Sequence, residues 1–170
     1  PLLRIYAEQW MQAIQRELHA LKSNGTWKLV KLPKGRKALG SKFLFRVKRL
    51  ASGQFDKFKA RLVIQGFQQK EGFDYNETYA PVVDFTTVRV ALTIAAIFNM
   101  EIHQLDVQTA FLNGLLDEEV YMKQPKGFEE DGLEDHVCKL IKSLYGLKQA
   151  ARVWFKVLEE IGRASCRERV

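Results

Sequence analysis

The chain has 170 residues, 46% of them hydrophobic and 11% aromatic, which is enough apolar material for a buried core and argues against intrinsic disorder. Its longest apolar stretch, residues 88–98, contains Arg89 and Thr93 and falls short of the ~20 residues that a membrane span needs. With 27 basic and 20 acidic residues the formal charge is +7, which favours a polyanionic partner. Cys138 and Cys166 form neither a disulfide framework nor a C-x-x-C pair, and His19, His103 and His136 are scattered, so a zinc site lacks ligands. The chain starts at Pro1 with no secretory pattern, so it is expected to be an intracellular piece of a longer protein.

In chain order, Ala7, Trp10, Met11, Ile14, Leu18 and Leu21 recur at three-and-four spacing, predicting an amphipathic helix over 5–23 that Asn24-Gly25 ends. Residues 26–32 read as a strand and Pro33-Lys34-Gly35 as a turn. Strands 42–50 and 54–64 flank the Ser52-Gly53 turn and predict a hairpin. Period-two alternation puts Phe58, Ala60, Leu62 and Ile64 on one face and Lys57, Lys59 and Arg61 on the other. Arg46 and Lys48 join those cations only if the register aligns the two polar faces. A solvated outer face and a phosphate-binding face both fit this pattern.

Residues 65–83 form a polar, glycine-bearing loop, and a helix capped by Thr86 or Thr87 follows over 88–99, apolar nearly all round and so expected to be buried. A strand is expected at 102–107, a compact turn at 109–116, strands at 120–124 and 137–144, and a turn at Tyr145-Gly146-Leu147. The last helix is expected over 148–160. The order of elements predicts an α+β fold with antiparallel hairpins and packed helices. Residues 161–170 break the apolar pattern and look like an in-frame translation of a sequencing adapter, so they are expected to be non-native. Without Arg163, Arg167, Arg169 and Glu168 the remainder carries 24 basic and 19 acidic residues, a net +5.

Gly35 to Lys42 nearly spells a P-loop, but Ser41 and Lys42 stand in reversed order and a strand follows instead of a helix, so triphosphatase chemistry is rejected. Asp106 ends an otherwise apolar segment, where a carboxylate can serve as a strand-end cap or hold a hard cation such as Mg²⁺. The residues alone leave both readings open.

The run 102–114, Ile-His-Gln-Leu-Asp-Val-Gln-Thr-Ala-Phe-Leu-Asn-Gly, resembles the first catalytic motif of copia-type retrotransposon reverse transcriptases. Further stretches agree in order and spacing: 27–33 with Gly35, 58–63 with Gly66-Phe67, Tyr79-Ala80-Pro81-Val82, 121–128, and 143–150 with Arg152 and Trp154. The resemblance covers about residues 10–158 and implies a partial right-hand polymerase, with fingers at about 1–100 and 117–147 and the start of the palm at about 101–116 and 148–160. It implies Asp106 and the Val107 carbonyl as the anchor of two Mg²⁺ ions. Lys59, Arg61, Phe111 and Gln149 are implied at the incoming deoxynucleoside triphosphate, with Phe111 as the steric gate against a 2′-OH. Arg46, Lys48, Lys57, Tyr145, Gly146 and Lys148 are implied along an RNA or DNA primer-template.

Ala151 and Phe43 depart from the family's usual Pro and Trp, and the aromatic-x-Asp-Asp hairpin that supplies the other catalytic carboxylates occurs nowhere in the chain. The resemblance therefore implies one part of a polyprotein whose other parts are the rest of the palm, the thumb, RNase H and integrase. It would work in an intracellular particle, cytoplasmic or nuclear. By itself the chain is expected not to polymerise. A non-catalytic nucleic-acid-binding remnant of a decayed element is the alternative, and an unrelated host fold with a basic strand face is a third.

Overall fold

In the computed structural model, which describes residues 5–107 and 109–167, helix α1 spans Ala7–Ser23 and buries Trp10, Ala13, Ile14 and Leu21. It stops where the periodicity stops. Gly25 takes φ +60°, the Thr26 N–H reaches back to the Leu21 carbonyl at 3.1 Å and the Gly25 N–H to that of Lys22 at 2.9 Å. This paired arrangement satisfies helix-end carbonyls and is open to glycine without steric penalty.

Strands β1 (Trp27–Lys31), β2 (Ser41–Arg49) and β3 (Phe55–Ile64) follow, and β2 and β3 form a two-stranded antiparallel sheet. Ser41 thus opens a strand and not a phosphate-cradling helix. The register sets Phe43 opposite Leu62, Phe45 opposite Ala60 and Val47 opposite Phe58, so one face is continuously apolar. That face lies on α1: Trp10 meets Phe58 edge-on at 4.5 Å and Phe45 at 5.1 Å, and Ala60 is buried beside Ala13 and Ile14. Each fully buried side chain of this size contributes roughly 1.5–3 kcal/mol.

A three-stranded antiparallel sheet joins distant parts of the chain in the order β1, β5 (His136–Leu140), β4 (Tyr121–Lys123). The main core, with Leu21, Leu39, Leu62, Ile64, Leu112, Met122, Leu140 and Leu144, lies where this sheet, the hairpin and α1 converge. The final helix, α3, runs Ala150–Arg167 and passes the expected end at Glu160. No proline interrupts it and Arg163 pairs with Glu159 one turn earlier at 2.5 Å, so nothing local stops the helix. Gln108 and residues 168–170 lie outside the described residues.

Two expectations are corrected here. Residues 101–107 form no strand, because an extended segment becomes one only when a neighbour accepts its backbone hydrogen bonds, and among the described residues none lies alongside. The apolar helix, α2 (Phe85–Ile97), is capped by the Asp84 carboxylate on the Thr86 N–H and not by a threonine. It has no buried residue, and Val90, Leu92, Ile94 and Ile97 are all exposed. An all-round apolar surface signals that burial is wanted but does not supply the covering element. Among the described residues, no helix is long and apolar enough to cross a membrane.

These environments predict opposite outcomes for similar substitutions. Ile94→Glu should shift the stability of the 170-residue chain by less than about 0.5 kcal/mol and lower its binding of a hydrophobic dye. Leu62→Ala, in the fully buried core, should cost about 2–5 kcal/mol. Urea titrations of the two variants check the contrast.

Candidate nucleotide site

The hairpin register answers the question left by the alternation of charges. Arg46 stands directly opposite Lys59 and Lys48 opposite Lys57, so both β2 cations share the face that carries Lys57, Lys59 and Arg61. Like charges placed opposite one another repel. The Lys59 ammonium is accordingly held below its usual value, by partial burial first and then by Arg61, Lys48 and Lys57. Glu17 of α1 counters this repulsion from the free edge of β3, where its carboxylate accepts the Leu62 N–H at 3.2 Å. Burial nevertheless raises the Glu17 carboxyl, against the pull of that N–H, Lys59 and Arg61.

Beyond this face β3 meets the turn that precedes α3. The Ile64 N–H donates to the Tyr145 carbonyl at 2.9 Å. A Cβ on Gly66 would overlap the Gly146 carbonyl, and one on Gly146, where φ is +97°, would overlap that of Ile64. The glycines thus let two backbones touch. Over this seam the Arg61 guanidinium lies 4.9 Å from the centre of the Tyr145 ring, within cation–π range, and Phe111 meets the same ring edge-on at 5.1 Å. Phe111 sits in the short 3-10 turn Ala110–Asn113 and packs on the main core through its inner side.

Lys148 and Gln149 leave the turn in different directions. The Lys148 ammonium lies 4.6 Å over the Tyr75 ring and donates to its hydroxyl at 3.0 Å. Gln149, expected at the nucleotide, is 1% exposed, and its amide is engaged by Gln69, the Asp74 carbonyl and Glu118. The structure therefore commits it to the interior. Gln69, its partner, gave no signal in the sequence: a polar residue in a polar loop has no periodicity to mark it.

Residues 24–166 match the family model described as reverse transcriptase (RNA-dependent DNA polymerase). The chain belongs to this family. It is 52% identical over 147 residues, 86% of its length, to the retrovirus-related Pol polyprotein from transposon TNT 1-94 of Nicotiana tabacum, of which it covers 11%. Over 149 residues, 87% of its length, it is 43% identical to the Pol polyprotein from transposon RE2 of Arabidopsis thaliana, covering 10% of that protein. It is 30% identical over 164 residues, 89% of its length, to the transposon Ty1-ER2 Gag-Pol polyprotein of Saccharomyces cerevisiae, covering 8% of it. The chain thus spans about a tenth of the length of the curated relatives it matches. These plant matches make it a copia-type reverse transcriptase sequence. No solved structure matches it.

Reverse transcriptases use divalent metal ions, so the donor set around Asp106 can be tested against such a site. Asp106 and Val107 are exposed on segment 101–107, which has no regular secondary structure. Among the described residues no three His, Cys, Asp or Glu side chains are grouped so as to hold a metal ion. One carboxylate and one carbonyl do not fit a two-ion centre, which binds its metals about 3.5–4 Å apart through several oxygen ligands.

The raised Glu17 carboxyl yields a pH prediction. A carboxyl whose folded value lies above its unfolded one contributes stability in full below the unfolded value and loses it as pH climbs through the folded value. Wild type should therefore lose stability relative to Glu17→Gln between about pH 4 and about pH 7. Paired thermal melts at the two pH values measure the difference, which should move in favour of the Gln variant as pH rises.

Proposed function

We propose that the chain supplies the fingers and the start of the palm of a right-hand RNA-directed DNA polymerase that adds deoxynucleotides to a primer. The observation that carries this reading is the meeting of Arg61, Phe111 and Tyr145, drawn from three separate segments, beside a face bearing Arg46, Lys48, Lys57 and Lys59. A guanidinium fixed by its stacking on an aromatic ring offers its remaining donors to phosphate oxygens without loss of side-chain freedom. A neighbouring aromatic edge can close the space beside a sugar. Lys59 and Arg61 then hold the triphosphate, Phe111 excludes the 2′-OH, and Arg46, Lys48, Lys57 and Lys148 follow the primer-template backbone.

Asp106 with the Val107 carbonyl is the proposed metal anchor, to be completed by the carboxylates of the aromatic-x-Asp-Asp hairpin, a motif this sequence does not contain. No chemical step is assigned to it in this chain. The partners of this reading are a primer-template, deoxynucleoside triphosphates and the rest of the polyprotein.

In the intact polymerase, Arg61→Ala should raise the KM for deoxynucleotides about 10- to 100-fold, the equivalent of losing one charge-assisted contact. Phe111→Ala should admit ribonucleotides, and Asp106→Asn should abolish synthesis. Steady-state kinetics with both sugar types checks all three. Unchanged sugar discrimination in Phe111→Ala would remove the gate assignment.

Binding of single-stranded nucleic acid to the 170-residue chain should weaken steeply with salt, by a slope of about −0.7 per phosphate contacted. Lys59→Ala with Arg61→Ala should flatten that slope by about 1.4 and weaken all sequences alike. The same chain should extend no primer. A wild-type salt slope in the double variant would leave the basic face as solvated surface, and primer extension dependent on Asp106 would misplace the chemistry.

A further inference from the structure

Gln69 lies in the loop after β3 and is 5% exposed, yet both polar atoms of its side chain are used. Its Oε1 accepts the Lys148 N–H at 2.8 Å, and its Nε2 donates to Gln149 Oε1 at 3.0 Å and to the Asp74 carbonyl at 3.4 Å. Gln149 Nε2 donates in turn to the same carbonyl at 2.8 Å. A buried amide so paired has its desolvation offset, but leaving one partner unmatched costs about 1–3 kcal/mol. The two glutamines therefore lock the loop to the residues that enter α3.

The turn carrying Tyr145 is consequently held at both ends. Its first end is fixed by the Ile64 N–H on the Tyr145 carbonyl, and its second by Gln69 on the Lys148 N–H. Between them stands Gly146, a residue with little intrinsic resistance to rotation. Were the second tether lost, the Ile64 bond alone would hold the turn, and the Tyr145 ring would be kept less firmly beneath Arg61 and against Phe111.

We propose that Gln69 is a positioning residue of the nucleotide site, holding Tyr145 where Arg61 and Phe111 are aligned for the incoming triphosphate. This rests on the reading of Arg61 and Phe111 as nucleotide-facing. Gln69 itself touches no substrate. Its effect belongs to nucleotide binding and not to the chemical step.

The test is made in the intact polymerase, with Gln69→Ala, with Gln69→Met, which keeps the volume and removes the hydrogen bonds, and with Arg61→Ala as the reference. Both Gln69 variants should raise the KM for deoxynucleotides about fivefold, one buried hydrogen bond's worth, with kcat kept within about twofold. Hydrogen exchange at the Lys148 amide should accelerate in both. If Gln69→Ala fails to fold, Gln69→Met carries the measurement. A raised KM in Arg61→Ala with an unchanged KM in Gln69→Met, although the Lys148 amide exchanges faster, would overturn the positioning role and leave the nucleotide reading standing. A lowered thermal midpoint with KM unchanged would overturn it as well, since that is the mark of a merely structural residue. An unchanged KM in Arg61→Ala would overturn the nucleotide reading itself and this assignment with it.

Discussion

The place on which the candidate site depends is a contact between two stretches of backbone with no side chain between them. Where β3 ends, the Ile64 N–H binds the Tyr145 carbonyl, and Gly66 and Gly146 allow an approach that any Cβ would block. Hydrogen bonding across this seam fixes the direction in which Tyr145 leaves the main chain. Arg61, three residues before Ile64 on the same rigid strand, is thereby placed over the ring, and Phe111 is held from behind by the core. A seam of bare backbone transmits position with less slack than side chains that can change rotamer.

The basic face is a second constraint, and it works against the fold. Cations stand opposite cations across the β2–β3 register, and repulsion from Arg61, Lys48 and Lys57 adds to partial burial, the larger cause, in lowering the Lys59 ammonium. The opposite face compensates, with Phe43, Phe45 and Phe58 packed against α1 and Phe128. Cohesion on one side thus sustains repulsion on the other. A polyanion meeting the charged side would relieve a cost that the free hairpin carries, while Glu17 at the strand edge relieves only part of it.

The hairpin and its two faces were legible because period-two alternation is a local property of the chain: Phe58, Ala60, Leu62 and Ile64 point one way whatever else the protein does. Helix α2 was legible as a helix for the same reason, but its burial depends on another element, and a pattern of apolar residues cannot show whether that element is present. Residues 102–107 failed as a strand on the same ground, since pairing is a property of two segments. The site divides likewise. Motif resemblance brought forward Arg61, Phe111 and Tyr145, whereas the inward turn of Gln149 and the whole contribution of Gln69 arise from contacts between residues about 80 positions apart. No window along the sequence contains both.

The pairing of β1 with β5 has a consequence in time. Lys31 lies beside His136 and Trp27 beside Leu140, so β1 acquires its neighbour only after about a hundred further residues have been made. At about 5–20 residues per second, a ribosome takes roughly 5–20 s to supply them. The β2–β3 hairpin, closed by a tight turn at Gly53, can form within microseconds of emerging and settle on α1. Synthesis therefore favours a partly folded species in which the hairpin is in place while Trp27, Leu29 and Val30 wait unpaired. For the seconds that this lasts, β1 presents free backbone groups on both edges, and a translational pause before His136 would lengthen the interval in direct proportion.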